Sequence, residues 1–246
     1  GNDIINGGGG GDMAVFSGSA GQYNINLGAG TITDNVANRD GTDTISNIEV
    51  LQFNNNGNAQ YRLIASGTAA VPVNIVGIGM SGTNGLSSLT GTEDFLTIGT
   101  NFFGRPIDLG TGTNDTVNLG IAGSGYTLTL VGVEVLNGAG GNENVTLTSL
   151  ANGLSVDLGE GSDNLNLANG VNTLSVSGVE QIFVAGSNNT LTLNNNVSDV
   201  GINLGAGTNT LNLLGTANSL ASMFGVQTIN GTASDDTLTL QNGASN

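Results

Sequence analysis

The side chains of this chain that could do chemistry are almost all oxygen donors. Nineteen Asp and Glu stand against three Arg (Arg39, Arg62, Arg105), with no Lys, His or Cys, for a formal charge of −16 over 246 residues. Several acids and amides close glycine-rich turns: Gly7-Gly-Gly-Gly-Gly-Asp12, Gly110-Thr-Gly112-Thr-Asn-Asp115, Gly159-Glu-Gly161-Ser-Asp163 and Gly205-Ala-Gly207-Thr-Asn209. Glycines let such a turn expose backbone carbonyls, and the closing Asp adds a carboxylate. Two turns of this kind on successive coils can enclose a hard cation. An all-oxygen donor set favours Ca²⁺.

Other chemistries find little support. Without His, Cys or Lys the usual nucleophile–base dyads are missing. A glycosidase-type carboxylate pair would occur once, whereas these acids repeat. The expectation is therefore no enzymatic activity. Phosphate binding needs a basic face, so nucleic acid is excluded as a partner, and an anionic membrane surface is disfavoured. No stretch of 18 or more apolar residues exists to insert into a bilayer.

The elements that must position these turns are short strands. Leu128-Thr-Leu130, Leu174-Ser-Val176 and Leu191-Thr-Leu193 alternate apolar and polar residues, a period-2 signature with no amphipathic helix beside it. A longer phrase recurs as Ile107-Asp-Leu-Gly-Thr-Gly, Val156-Asp-Leu-Gly-Glu-Gly and Ile202-Asn-Leu-Gly-Ala-Gly. Its companion anchor begins at Gly132, Gly178 and Gly225, after a weaker copy at Gly85, with spacings of 47, 46 and 47 residues. A fixed period with Gly and Asn punctuation predicts an all-β fold, a parallel β-solenoid of the β-roll or β-helix kind, built on repeats of about 46 residues. Each repeat holds either two coils of about 23 residues or five half-turns of about nine. Leu109, Leu158 and Leu204 should point inward. Asp108, Asp157 and Asn203 should face outward in one column, as should Asn118, Asn166 and Asn212. Glu134, Glu180 and Gln227 recur as a third such row on the solvent edge.

Three stretches differ in texture: 1–65, an irregular join 66–84, and the repeats 85–246. The chain opens without Met and stops about halfway through a repeat, which reads as an excerpt of a longer polypeptide. An uncapped solenoid end after Leu240 would favour contact with another copy or with further segments of the parent chain. Five Asn-x-Ser/Thr matches are expected by chance in so Asn- and Thr-rich a sequence.

The first 55 residues carry a resemblance. Asp12 closes a Gly-rich turn with Ala14 at the following apolar position, and Asp3, nine residues earlier, ends a preceding copy whose own turn is truncated at the chain start. Ala14-Val-Phe-Ser-Gly18, Tyr23, Arg39-Asp-Gly-Thr-Asp43 and Asn47-Ile-Glu-Val-Leu-Gln-Phe53 follow. The set resembles the RTX (haemolysin-type calcium-binding) repeats of bacterial proteins exported by type I secretion, together with the stretch that closes such an array. The resemblance implies Ca²⁺ ligands at Asp3 and Asp12, with Gly1, Gly8 and Gly10 supplying turn geometry and carbonyls. Asp163 and Asp115 are further candidate metal ligands in the degenerate repeats, the alternative being turns held by hydrogen bonds. The implied protein is extracellular: a calcium-binding structural component of a bacterial surface layer, fibre or adhesin, with cell-surface polysaccharide as a candidate partner. The alternative is a non-catalytic secretion and folding module of an exported polysaccharide- or protein-degrading enzyme.

Overall fold

The computed structural model describes residues 1–240 except 66, 69, 77, 79, 81–83, 100–103, 121–122 and 124. The expected uncapped end falls in 241–246, outside the described residues. Two compact units divide the chain, residues 1–120 and 121–246. Each is an all-β parallel solenoid, and the first adds a small mixed sheet at its N-terminal side.

In the 121–246 unit the chain runs alternately through two sheets. One contains Thr127–Val131, Asn144–Leu147, Asn164–Leu167, Gln181–Val184, Val200–Asn203, Ala217–Phe224 and Thr237–Leu240. The other contains Val135–Asn137, Asn152–Asp157, Val171–Ser177, Thr190–Leu193, Thr210–Leu213 and Thr228–Asn230. Every neighbouring pair is parallel, and the apolar residues stack in register, as in Leu128–Val145–Leu165–Ile182–Ile202. The cause is the alternation itself. In Thr190-Leu-Thr-Leu193 the leucines are fully buried and the threonines half-buried, so a one-residue slip would exchange core and surface. Each inward Leu, Val or Ile contributes about 1.5–3 kcal/mol of burial. Leu109, Leu158 and Leu204 are all fully buried, as expected.

Paired residues in adjacent turns are 17 to 21 positions apart. Twelve half-turns separate Thr127 from Thr237, so a half-turn averages about nine residues and five of them make one 46-residue repeat. Five is odd. Repeat-equivalent residues therefore alternate between the sheets, which corrects the expected single columns. Asp157 ends a strand of one sheet and Asn203 a strand of the other; Asn166 and Asn212 are likewise on opposite sheets.

The 1–120 unit begins with the mixed sheet, in the order Ile4–Asn6, Thr42–Ser46, Thr31–Asp34, Tyr23–Asn26, whose first pairing alone is parallel. Met13–Phe16 pairs in parallel with Val50–Asn55, which turns back antiparallel on Asn58–Leu63. The two-residue turn is Asn56-Gly57, with φ of 49° and 82°, the Asn-Gly conformation that matches strand twist in a hairpin. Asn58–Leu63 then pairs in parallel with Leu86–Ser88, and that strand with Pro106–Asp108. Facing them lie Val73–Asn74, Phe95–Ile98 and Thr116–Leu119, so the irregular join contributes one strand. Phe16, Tyr23 and Phe53 form an aromatic cluster with centroids 4.9 to 5.5 Å apart.

Candidate cation sites and the inward polar ladder

A strand entered from a corner has a leading N–H that the preceding turn cannot satisfy, and a buried one needs a partner. The solenoid supplies it from the next turn. The N–H of Asp94 donates to Asp115 Oδ1 at 2.7 Å, that of Glu143 to Asp163 Oδ1 at 2.6 Å and that of Asp163 to Glu180 Oε2 at 2.7 Å. Further along, Asn189 N donates to Asn209 Oδ1 at 2.7 Å, and Asn209 N to Gln227 Oε1 at 2.6 Å. Near the N-terminus, Asp12 N donates to Glu49 Oε2 at 2.7 Å. Asp94, Asp115, Glu143, Asp163, Asn189 and Asn209 are all at most 1% exposed. The candidates Asp115 and Asp163 are thus inward rungs. Glu180 is half-buried and Gln227 exposed, in keeping with a solvent-edge row, and both also reach back as backbone acceptors because they directly precede a strand.

The amide rungs are better satisfied than the acid ones. Asn209 Nδ2 donates to the carbonyls of Gly205, Ala206 and Gly225 at 3.3, 3.1 and 2.6 Å. Asn189 Nδ2 donates to those of Ala185 and Leu204. By the repeat, Asp163 is the counterpart of Asn209, and Gly159, Glu160 and Gly178 are the counterparts of Gly205, Ala206 and Gly225. The backbone follows this correspondence. A Cβ on Gly178 would meet Gly159 O at 2.3 Å, and one on Gly225 would meet Gly205 O at 2.1 Å, both at positive φ. Among the described residues no fixed donor reaches Asp163 Oδ2 or the carboxyl oxygens of Glu143; the two buried carboxyls instead lie within hydrogen-bond reach of each other. Two buried carboxyls in contact, without a basic group between them, need a shared proton or a cation. Burial and then the neighbouring Asp163 push Glu143 up to about 7. Burial also raises Asp163 and Asp94.

At the N-terminal turn, Gly8 and Gly10 have φ of 90° and 115° with open space around them. Asp12 Oδ2 is buried and unpartnered, which fits a cation. Asp3 is exposed; its N–H donates to Asp43 Oδ1 at 2.9 Å and its carbonyl accepts from Thr44. The terminal amine of Gly1 donates to Asp40 O at 2.8 Å. Among the described residues, no group of three or more acidic side chains gathers as a metal cluster. A cation at Asp12 or Asp163 would therefore depend largely on carbonyl oxygens.

Asp108, Asp157 and Asn203 cap their own turns, accepting the N–H of Gly110, Gly159 and Gly205 at 3.0, 3.2 and 2.9 Å. Asn166 is tied to Asn144 Oδ1 and Val145 O at 2.8 and 3.0 Å. Sequence reasoning missed Glu143, which no Gly-x-Gly-x-Asp frame marks, though its 46-residue offset from Asn189 was a signal. It also missed a second polar lock. Arg39 grips Asp34 with Nε and Nη2 at 2.6 and 2.5 Å, donates to Gln22 Oε1 at 2.8 Å, and lies 5.0 Å from the Tyr23 ring centroid. Arg39 holds Asp34 well below the usual carboxylate range. Burial and the hydrogen bond to Asp40 push Tyr23 up to about 12. No family model, curated protein or solved structure matches the chain.

Proposed function

We propose that the chain is a calcium-binding structural β-solenoid of a bacterial cell surface, part of a surface layer, fibre or adhesin, exported by type I secretion. The observation that carries the calcium reading is the exchange of Asn209 for Asp163 at equivalent stations. Where one repeat puts an amide donor against three carbonyls, the other puts a carboxylate oxygen with no fixed donor, against the Glu143 carboxyl. Asp163, with the carbonyls of its glycine turn, would hold one Ca²⁺, and Asp12 with the Gly8–Gly10 turn would hold another. The ion would neutralise carboxylates that the fold has buried. The RTX resemblance of the first 55 residues supports the secretion route and the extracellular location, where Ca²⁺ is plentiful. The recurring acids and amides act as backbone acceptors within the coil, which supports a scaffold rather than a catalyst.

Titration of chelator-stripped protein with CaCl₂ in a calorimeter tests the calcium reading. Binding should be lost in steps by Asp12→Ala and Asp163→Asn; heats of dilution alone in the wild type would refute it. The second reading, a secretion and folding module of an exported hydrolase, lyase or epimerase, is favoured by the Gly7–Asp12 turn that follows the first strand of the mixed sheet. The mass and termini of the natural protein separate the two: an adjoining segment with a unique catalytic constellation would favour the module, and further repeats the surface scaffold.

A further inference from the structure

On the outward face of one sheet in the 121–246 unit, two neighbouring columns carry no charge, although Asp199 accepts from Ser219 Oγ of that sheet at 3.2 Å. The central column runs one residue per turn from Thr129 through Thr146, Asn166, Phe183 and Asn203 to Phe224. The adjoining column holds Thr, Asn, Gln, Gly and Ser in the same register. In a chain of formal charge −16, an uncharged array of this length selects against ionic partners and suits a neutral one.

Two of its residues are exposed aromatics. Phe183 is 36% and Phe224 61% exposed, although the strands already bury alternate residues in the core. Turns repeat at about 4.8 Å along a sheet, so the rings stand two rungs or about 9.5 Å apart. Asn203 lies between them, its Oδ1 held by Gly205 N at 2.9 Å and its amide nitrogen without a partner among the described residues. Apolar ring faces at a fixed interval, separated by an amide donor and flanked by hydroxyls, match a ligand with C–H faces, a hydroxyl rim and a repeat of its own. We propose that this face binds a neutral polysaccharide laid along the coil axis, with Phe183 and Phe224 stacking on sugar rings and Asn203 donating to a hydroxyl between them. The site requires the folded sheet and no cation, so it stands apart from the calcium reading.

Affinity electrophoresis of the whole chain, in native gels containing hydroxyethylcellulose, dextran, amylopectin or galactomannan, tests the site, with alginate as the anionic control. At least one neutral polymer should retard the protein and alginate should not. The double variant Phe183→Ala/Phe224→Ala should bind about tenfold more weakly, while still melting cooperatively at a temperature lowered only by the covered part of the Phe183 ring. Phe183→Trp should keep the retardation. Four results would overturn the proposal: no retardation in any neutral polymer, equal retardation in alginate, retardation indifferent to the double variant, or sedimentation showing that the two rings join two copies of the chain. Calcium titration of the same double variant should match the wild type, so failure of this site leaves the calcium reading untouched.

Discussion

A buried carboxylate oxygen facing a second carboxyl, as in Asp163 beside Glu143, is unstable without a proton or a cation, and an amide nitrogen in its place is not. Asp163→Asn should therefore stabilise the chain in chelator rather than weaken it, giving a higher melting temperature than the wild type. A lower one would mean that the side chain does not occupy the station of Asn209. In the apolar core, Leu158 is fully buried, and Leu158→Ala should cost about 2–5 kcal/mol. Asn166→Ala, expected from sequence to be almost neutral, should cost about 1 kcal/mol, because its amide links two turns. Denaturant midpoints of the two variants check the pair, and equal losses would refute the facing assignment. At the N-terminal lock, Gly18→Ala would place a Cβ within 2.2 to 2.4 Å of the Arg39 guanidinium. It should disturb the grip on Asp34 as much as Arg39→Lys does, which removes the planar fork. A Gly18→Ala chain that melts like the wild type would contradict that packing.

At the scale of elements, the two polar locks respond to pH in opposite directions. Asp34 is lowered in the folded state by Arg39. Its contribution is present above the ordinary value of 3.8 and lost as pH falls below it. Glu143 is raised from 4.5 to about 7. Its contribution is whole below 4.5 and lost as pH rises to about 7. In chelator, the melting-temperature gap between wild type and Glu143→Gln should widen over that interval and stay flat above it. The gap between wild type and Asp34→Asn should close in acid. A gap that does not move with pH would contradict either assignment. The strands themselves were legible, because Thr190-Leu-Thr-Leu193 and its kin allow one facing only. The number of half-turns per repeat was not. A strand of either sheet shows the same alternation, so only the strand register reveals that Asp157 and Asn203 belong to different sheets. The Arg39–Asp34 pair was equally hidden, since its spacing belongs to the mixed sheet and not to the repeat.

For the whole molecule, the period announced a solenoid, and that much of the fold could be read before any coordinate. The candidate site was half legible. The Gly-x-Gly-x-Asp frames pointed to Asp12, Asp115 and Asp163, but not to whether these residues face water or the coil interior. For Asp115 and Asp163 that depends on the corner N–H each carboxylate accepts, a contact about 20 residues away along the chain. Ca²⁺ that binds the folded state alone adds stability by mass action, about 2.7 kcal/mol at a free concentration 100 times the dissociation constant. The most direct measurement of the central claim is therefore thermal melting of the wild type and Asp163→Asn, each in excess Ca²⁺ and in chelator. The account predicts a wild type that melts markedly higher with Ca²⁺, and a variant whose calcium response is smaller and whose melting in chelator is the higher of the two. Equal calcium responses in both proteins, or none in the wild type, would contradict it.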